Sequence, residues 1–342
     1  MTVTIPTFLE MLYQEKYPDE VLRDALLARG NAQEMLFSLA QERRLKFFPE
    51  NRAQVRSVIE VSNVCRQKCN YCAIGGKDQS VNYTLSADVM VALMKHLIEK
   101  GRQTILLQSG ENINDDFIGD LAEAVGRIKK EHPDLRIILC CGNLSKEQYH
   151  ELKMAGANDY ILKFEASNPV LFARCKPNDT LENRLHCIEL LHEEGFRIGS
   201  GNIVGLPGQS VDDLVSDLQL AHKLPLGMNS TTIFVPAENT PYANEPAGDP
   251  HLTLNMMALL RIMNPQRLMP TTSSLEKMIP DGQYLGLLAG GNTVTIHDGT
   301  PPELEKHFPI YSAKRIRPQM DHFREILSRA GMKTDNITDL RH

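Results

Sequence analysis

Residues 56–72 read RSVIEVSNVCRQKCNYC, a short apolar run followed at once by three closely spaced cysteines. The segment Arg56–Val61 is rich in β-branched residues and is typical of a strand. Cys65, Cys69 and Cys72 follow it with CX3CX2C spacing. In a parallel sheet, this order puts three thiols on the loop at the carboxyl end of a strand, where barrel proteins build their active sites.

Three thiolates within so short a loop can hold one metal ion or one cluster. They suit a 4Fe-4S cluster, in which three cysteines leave one iron without a protein ligand. Zinc is the alternative. A closed zinc site needs four ligands, usually as two separated pairs, and His96 or a distant residue would have to supply the fourth. The spacing favours the cluster and leaves zinc open.

A strand followed by an amphipathic helix recurs along the chain. The predicted strands are Arg56–Val61, Thr104–Gln108, Leu135–Cys141, Asp159–Phe164, Phe196–Val204, Thr231–Val235, Arg267–Pro270 and Asn292–Ile296. The predicted helices cover 86–100, with Ser86 as N-cap, and 116–130, 145–155, 180–194, 210–223, 252–263, 281–288 and 316–330.

Eight alternating βα units predict an α/β fold, a closed (βα)8 TIM-type barrel with outer helices. A doubly wound open sheet would give a similar rhythm and stays an alternative. Residues 1–50 precede the first strand and predict an N-terminal helical cap. Residues 51–342 then form the barrel with its C-terminal helix, and the whole is one structural domain.

Composition excludes several classes of protein. The 342 residues are 42% hydrophobic and 23% charged, as in a packed globular chain. A net charge of −6 without a basic block argues against a nucleic-acid partner. No apolar run approaches the ~20 residues that cross a bilayer, and the N-terminus lacks the pattern of a signal peptide. We therefore expect a cytoplasmic protein whose seven cysteines form no disulfide scaffold.

The cysteine spacing, with Tyr71 directly before Cys72, resembles the signature of the radical S-adenosylmethionine (SAM) enzymes. The resemblance implies that Cys65, Cys69 and Cys72 bind one 4Fe-4S cluster. It also implies that the open iron chelates the amino and carboxylate groups of SAM. One electron, from a donor such as flavodoxin or ferredoxin, then cleaves SAM to methionine and a 5′-deoxyadenosyl radical. Such an enzyme would act on a small molecule inside the barrel.

Further stretches resemble the biotin-synthase-like branch of these enzymes and, within it, the FeFe-hydrogenase maturases of the HydE type. Maturation of a hydrogenase cofactor, or work on a related sulfur- or iron-bearing small precursor, is the implied role. A biotin-synthase-like or methylornithine-synthase-like reaction is the alternative, and a non-catalytic iron–sulfur or zinc carrier is the alternative from another class. The matching stretches are IEVSNVCRQKCNYC, LQSGEN, FEASNPVLF, LENRLHC, VGLPGQSVDDLVSDL and TPYANE.

The resemblance also implies a set of SAM-binding residues. Without it, these positions would read as ordinary turns or as an ion pair that serves stability. The segment after the second strand would meet the methionine end of SAM, Glu165 and Arg184 would contact SAM, and the turn after the fifth strand would line the adenosine pocket. The implied residues are Tyr71, Ser109, Gly110, Glu111, Glu165, Arg184, Gly205 and Pro207.

The substrate half of the cavity matches the maturases less well. Lys163 and Phe164 stand where that group has Arg and His, and the segment 287–292 replaces one that carries Arg and Cys. His297, at the end of the eighth strand, and Thr271, after the seventh, are the candidate catalytic residues. A lone His or Thr there can equally be an ordinary polar residue. The sequence thus predicts the SAM half and leaves the substrate open.

Overall fold

The computed structural model describes residues 6–75, 81–305, 307–308 and 320–334, and they form an α/β fold around parallel strands. The strands are β1 Arg52–Ser62, β2 Thr104–Ser109, β3 Arg136–Cys140, β4 Asp159–Ile161, β5 Arg197–Ser200, β6 Ile203–Val204, β7 Leu226–Asn229, β8 Thr232–Ile233, β9 Thr293–Ile296 and β10 Lys333–Thr334. The helices are α1 Thr7–Tyr13, α2 Asp19–Leu26, α3 Asn31–Phe47, α4 Ala87–Glu99, α5 Asp115–Glu131, α6 Lys146–Met154, α7 Pro169–Cys175, α8 Leu181–Glu193, α9 Val211–Lys223, α10 Pro250–Met263, α11 Ser273–Met278, α12 Gly282–Leu288, α13 Pro302–Glu305 and α14 Met320–Arg329. A 3-10 turn, Ala73–Gly75, ends the cysteine loop.

The strands pair in a parallel ring. β1 pairs with β9 on one side and with β2 on the other, and the pairing continues through β3, β4 and β5 to β7. Isolated parallel bridges join Met228 to Leu268 and Pro270 to Thr293, so the ring returns to β9 through the segment 268–270. The predicted parallel α/β barrel is confirmed. Since every ring strand runs in the same direction, the loops that follow the strands share one end.

Two of the predicted strands differ in the structure: one is displaced and the other forms only isolated bridges. The sixth was expected at Thr231–Val235, but the ring strand is β7, whose LGMN sequence carries a glycine and an asparagine and so a weak strand signal. Part of the expected segment forms β8, which pairs with β6. Arg267–Pro270 forms bridges but no strand, because proline has no N–H to donate and the Met269 N–H bonds the side chain of Asn292.

Other boundaries differ at the carboxyl ends. The fourth strand ends at Ile161 and not at Phe164, so Lys163 and Glu165 lie on the loop that follows. The expected strand Phe196–Val204 is split into β5 and β6 at Gly201. A Cβ at Gly201 would lie 2.6 Å from the carbonyl carbon of Ser230, closer than side chains approach. The chain therefore bends where strands β5 and β7 meet the cavity.

The N-terminal helices α1 to α3 pack on the outer helices of the barrel. Arg44 of α3 donates to the carbonyls of Leu287 and Gly291, and Gln33 bonds Asn255 of α10. Residues 1–5 of the predicted cap and residues 316–319 of the predicted last helix lie outside the described residues. Within the part of the chain that is described, no helix combines the length and apolar character that crossing a bilayer requires.

Two apolar layers position the site. Val58, Leu106 and Ile138, at most 6% exposed, fill the interior of the ring along β1, β2 and β3. The larger layer lies between the strands and the surrounding helices. The interior is therefore packed beside these three strands, and polar residues occupy the end at which the strands stop.

Candidate functional site

A cavity of about 360 Å³ opens at the carboxyl ends of the strands. It collects most of the residues that the sequence predicted for cluster, SAM and substrate. Gly205 and Pro207 are not among the described residues that line it. The predicted residues in its wall are Cys65, Cys69, Cys72, Tyr71, Ser109, Gly110, Glu111, Glu165, Arg184, Thr271 and His297.

Hydrogen bonds hold the cysteine loop against the end of α7. The N–H of Asn70 donates to the carbonyl of Cys175 at 2.8 Å, and its side-chain amide donates to the carbonyl of Arg174 at 2.7 Å. On the other side, the N–H of Glu111 donates to Sγ of Cys65 at 3.3 Å. The loop is thus tied both to the end of β2 and to the end of α7.

Burial favours the neutral form of two thiols of this loop. Burial raises the pKa of Cys65, and burial together with the charge of Cys69 raises the pKa of Cys72 to about 12. A bound cationic centre reverses this preference, since metals take up thiolates. Within the described residues, no three His, Cys, Asp or Glu side chains converge on one ion. A 4Fe-4S cluster takes each thiolate on a different iron, so this donor set fits the cluster.

Glu111 links the cysteine loop to the third strand. Its Oε1 accepts from Arg66 at 2.8 Å and from Gln67 at 2.7 Å, both residues of the loop. Its Oε2 accepts from the N–H of Asn143, just after β3. Because the carboxylate already accepts three hydrogen bonds, it orients the loop that carries the thiols, in addition to lining the cavity.

Arg184 neutralises the buried carboxylates around it. Its guanidinium lies 2.9 Å from Asp179 and 3.7 Å from Glu111. Burial by itself would lower the pKa of Arg184, but Asp179, Glu111 and Glu165 outweigh it and hold the pKa above its ordinary value. The sequence placed Arg184 in the helix after the fourth strand. The structure places it in α8, the second helix after β4, because α7 was not predicted.

Glu165 sits in a strained backbone conformation at the cavity wall. Its φ is +62°, a left-handed value that non-glycine residues seldom adopt and that clusters at functional sites. The strand-like bridge to Asn202 fixes it, with backbone bonds to Gly201 and Ile203. Lys163 lies 3.1 Å from its carboxylate and donates to Thr232. The lysine therefore orients the one strained carboxylate described in this wall.

The turn at Gly205 is built by a side chain further along it. Oε1 of Gln209 accepts from the N–H groups of Gly205, at 2.7 Å, and Leu206. Nε2 of Gln209 donates to the carbonyl of Ile203, and Gly205 has φ +90°. Gly205 and Pro207 thus shape the turn from behind the cavity wall.

Asp217 supports this part of the wall and was missed by sequence reasoning. It is fully buried in α9 and accepts from the N–H and hydroxyl of Ser167, both at 2.6 Å, and from Asn202 at 2.8 Å. Burial raises its pKa to about 6 in spite of these hydrogen bonds. A usable signal existed: an aspartate lies in the apolar stripe of α9 between Leu214 and Leu218.

Arg56 was also missed, because it was counted as a strand residue. It is 1% exposed, it lines the cavity, and both terminal nitrogens contact Sδ of Met228 at 3.3 Å. A thioether is a weak acceptor, and Nε has no hydrogen-bond partner. Burial lowers its pKa to about 10. An arginine inside an otherwise apolar buried strand was the signal that could have revealed it.

The two candidate catalytic residues lie in the same wall with partners of their own. The hydroxyl of Thr271 donates to the carbonyl of Gln283 at 2.8 Å and is 1% exposed. Nδ1 of His297 lies 3.5 Å from the carboxylate of Glu60 in β1. Cys140 also lines the cavity, and burial raises its pKa to about 12.

Comparison with known proteins agrees with this arrangement. Residues 59–221 match the model of the Radical SAM superfamily. The chain is 35% identical over 310 residues to the [FeFe] hydrogenase maturase subunit HydE of Thermotoga maritima, covering 90% of this chain and 87% of that protein. It is 27% identical over 278 residues to a biotin synthase of Gloeothece citriformis, covering 78% and 77%.

A solved structure supports the fold. The crystal structure of methylornithine synthase, PylB, superposes with a TM-score of 0.82 at 23% identity, covering 98% of this chain and 99% of that one. Members of the superfamily use a 4Fe-4S cluster and SAM, the cofactors that the thiols and the surrounding wall were expected to hold. The chain therefore belongs to the radical SAM superfamily and is a radical SAM enzyme.

Proposed function

We propose that this enzyme acts as the HydE-type maturase does, on a small precursor during assembly of an FeFe-hydrogenase cofactor. One observation carries the proposal. Three thiols, the strained carboxylate of Glu165 and the guanidinium of Arg184 line a single cavity in a chain 35% identical to a HydE subunit. The reducing cytoplasm, where free thiols persist, is the proposed location.

In this proposal, Cys65, Cys69 and Cys72 hold the 4Fe-4S cluster. Ser109, Gly110 and Glu111 at the end of β2, with Tyr71, Glu165 and Arg184, bind SAM. A cluster held by these thiols would supply the electron, delivered by a flavodoxin or ferredoxin, for reductive cleavage of SAM to methionine and a 5′-deoxyadenosyl radical. The chain itself contributes enclosure, since a carbon radical attacks most C–H bonds and the cavity wall keeps other partners away.

We further propose that the substrate carries an anionic group that faces Arg56. A guanidinium buried without a carboxylate is costly, and a bound carboxylate or similar anion supplies the missing acceptors in bidentate form. Lys163 pairs with Glu165, so Arg56 is, among the described residues that line the cavity beside Met228, the cation available to meet the substrate. His297 and Thr271 remain the proposed catalytic candidates.

Anaerobic reconstitution with iron and sulfide tests the cofactor assignment. The reduced protein should give a 4Fe-4S EPR signal that shifts on addition of SAM, with release of 5′-deoxyadenosine. Cys69→Ala should lose both, whereas Cys187→Ala, a change in α8 away from the cavity, should lose neither. A protein that takes up zinc and no iron would leave the carrier alternative standing.

The maturation role needs a separate assay. Adding the protein to a cell-free hydrogenase maturation mixture that lacks its own HydE should restore hydrogen evolution. If the protein cleaves SAM but does not restore hydrogen evolution, it acts on a different small molecule. The presence of Lys163 and Phe164 where the maturases have Arg and His would then account for the different substrate.

A further inference from the structure

Lys176 places a buried positive charge against the cysteine loop. The residue follows α7 directly and is 5% exposed. Its Nζ donates to Sγ of Cys69 at 3.2 Å, and both residues line the cavity. Among the described residues, no carboxylate lies within ion-pair distance of this ammonium. Its hydrogen bond therefore goes to a thiol, which is a weak acceptor.

Two other cations of the cavity wall are already neutralised. Arg184 pairs with Asp179 and Glu111, and Lys163 pairs with Glu165. Arg56, which has no carboxylate within ion-pair distance among the described residues, contacts Met228 and not the cysteine loop. Among the described residues, Lys176 is thus the buried cation that contacts a thiol of the cysteine loop and has no carboxylate within ion-pair distance.

The backbone fixes this contact on both sides. The N–H of Lys176 donates to the carbonyl of Phe172, and its carbonyl accepts from Asp179. The two hydrogen bonds from Asn70 to the carbonyls of Cys175 and Arg174 hold the cysteine loop against the same segment. The backbone on both sides of the Lys176–Cys69 contact is therefore held by hydrogen bonds.

A buried ammonium without an anion is costly, and the cost disappears when an anion occupies its surroundings. Three thiolates with a 4Fe-4S cluster carry net negative charge, which increases by one unit on reduction. A fixed positive charge stabilises the more negative, reduced state more than the oxidised state. Hydrogen bonds to the cluster sulfurs act in the same direction as part of the protein's control over potential.

We propose that Lys176 is a redox-tuning residue, whose ammonium raises the reduction potential of the cluster through Sγ of Cys69. The inference rests on the proposed function, since it needs the cluster at Cys65, Cys69 and Cys72. The electron comes from the same low-potential carrier, so no further reactant is required. Lys176 positions charge next to the ligand and takes no part in bond cleavage.

Redox titration followed by EPR, on the reconstituted full-length protein, tests the proposal. Lys176→Met should lower the equilibrium constant for one-electron reduction at least tenfold, which corresponds to about 59 mV. Lys176→Gln keeps a hydrogen-bond donor but no charge, so its equilibrium constant should lie between those of the wild type and Lys176→Met. The constant of Lys176→Arg should stay near the wild-type value. Lys68→Met is the matched control. It removes an exposed charge one residue from Cys69, where solvent screens it.

The outcomes are distinguishable. A wild-type protein that forms no 4Fe-4S cluster contradicts the proposed function itself. If the wild type forms the cluster but the equilibrium constants of Lys176→Met and Lys176→Gln lie within twofold of its own, the redox role of Lys176 is overturned. The proposed function is then unaffected. A Lys68→Met shift as large as that of Lys176→Met also overturns it, because burial would then be irrelevant. If all three Lys176 variants lose iron, including Arg, the residue is structural. If Arg alone keeps the cluster at the wild-type potential, the charge is required and the proposal stands.

Discussion

Gly142 leaves open the space that the side chain of Glu111 occupies. A Cβ on Gly142 would lie 2.6 Å from Oε2 and 2.7 Å from Cβ of Glu111, closer than real side chains approach. Gly142 also has φ +80°, and its carbonyl accepts from Tyr160 at 2.8 Å. The carboxylate that orients the cysteine loop therefore depends on a glycine that follows β3.

Gly142→Ala should displace Glu111 and weaken SAM binding at least tenfold. The left-handed φ and the overlap together should cost roughly 2–4 kcal/mol of unfolding free energy. Gly119→Ala is the control, since a Cβ at that position in α5 meets nothing within 4 Å. It should gain roughly 0.5–1 kcal/mol as a helical Gly-to-Ala change. Equilibrium dialysis with SAM and chemical unfolding measure both. Equal SAM affinity in the two variants would contradict the role given to Glu111.

Arg184→Gln should destabilise the fold by roughly 3–5 kcal/mol, because it leaves Asp179 buried without its counter-charge, whereas Glu111 keeps its ion pair with Arg66. The pKa of Asp179, which Arg184 and its other partners hold below the ordinary value against the effect of burial, should rise in the variant. In the wild type this carboxyl adds stability above its unfolded pKa and loses it as the pH falls through its folded pKa. That acid-side loss should shrink in Arg184→Gln.

Urea unfolding at several pH values measures the change. Arg127→Gln, which removes an exposed cation paired with Asp88 and Glu123, serves as control and should leave stability nearly unchanged. If Arg184→Gln proved as harmless as Arg127→Gln, Arg184 would not carry the buried charge balance.

Arg56→Met should raise the free energy of unfolding by about 1 kcal/mol or more, because it removes a buried charge that has no good acceptor. The same change should lower turnover if the substrate is anionic. Arg44→Met is the contrast. That guanidinium is also buried but donates to Leu287, Gly291 and Asn51. Its loss leaves three acceptors without a donor and should lower the free energy of unfolding by about 1–3 kcal/mol. Destabilisation of the same size in both variants would show that Arg56 is a structural residue.

Asp217 should make stability depend on pH near neutrality. Its folded pKa of about 6 exceeds the ordinary 3.8, so the folded state binds more protons between these values. Its contribution to stability is then full below the unfolded pKa and is lost as the pH rises through about 6. Asp217→Asn does not titrate. The stability of the variant relative to the wild type should therefore increase as the pH rises from 3.8 to about 6, as measured by unfolding at each pH. If the stability of Asp217→Asn relative to the wild type fell as the pH rose, the raised pKa of Asp217 would be contradicted.

The strand prediction was correct where the local sequence pattern favours a strand. It was wrong where a strand forms only because it pairs with a neighbouring strand. β2 and β3 carry continuous apolar runs, and β1 and β9 are rich in β-branched residues, so the local pattern is sufficient to predict these four strands. The sixth ring strand, LGMN, has no such run and becomes a strand because β5 lies beside it. α7 was missed because it is short and begins at Pro169, where the helical periodicity has little length in which to show itself.

The sequence by itself determined the superfamily and the cofactor class, because Cys65, Cys69 and Cys72 lie within one short loop and need no folding partner to be recognised. Tertiary structure decided which other groups act on those thiols. Lys176 meets Cys69 across 107 residues of chain, and Asp217 meets Ser167 across 50. Such pairs depend on how α7 and α9 pack against the strands, and local residue preferences do not predict that packing.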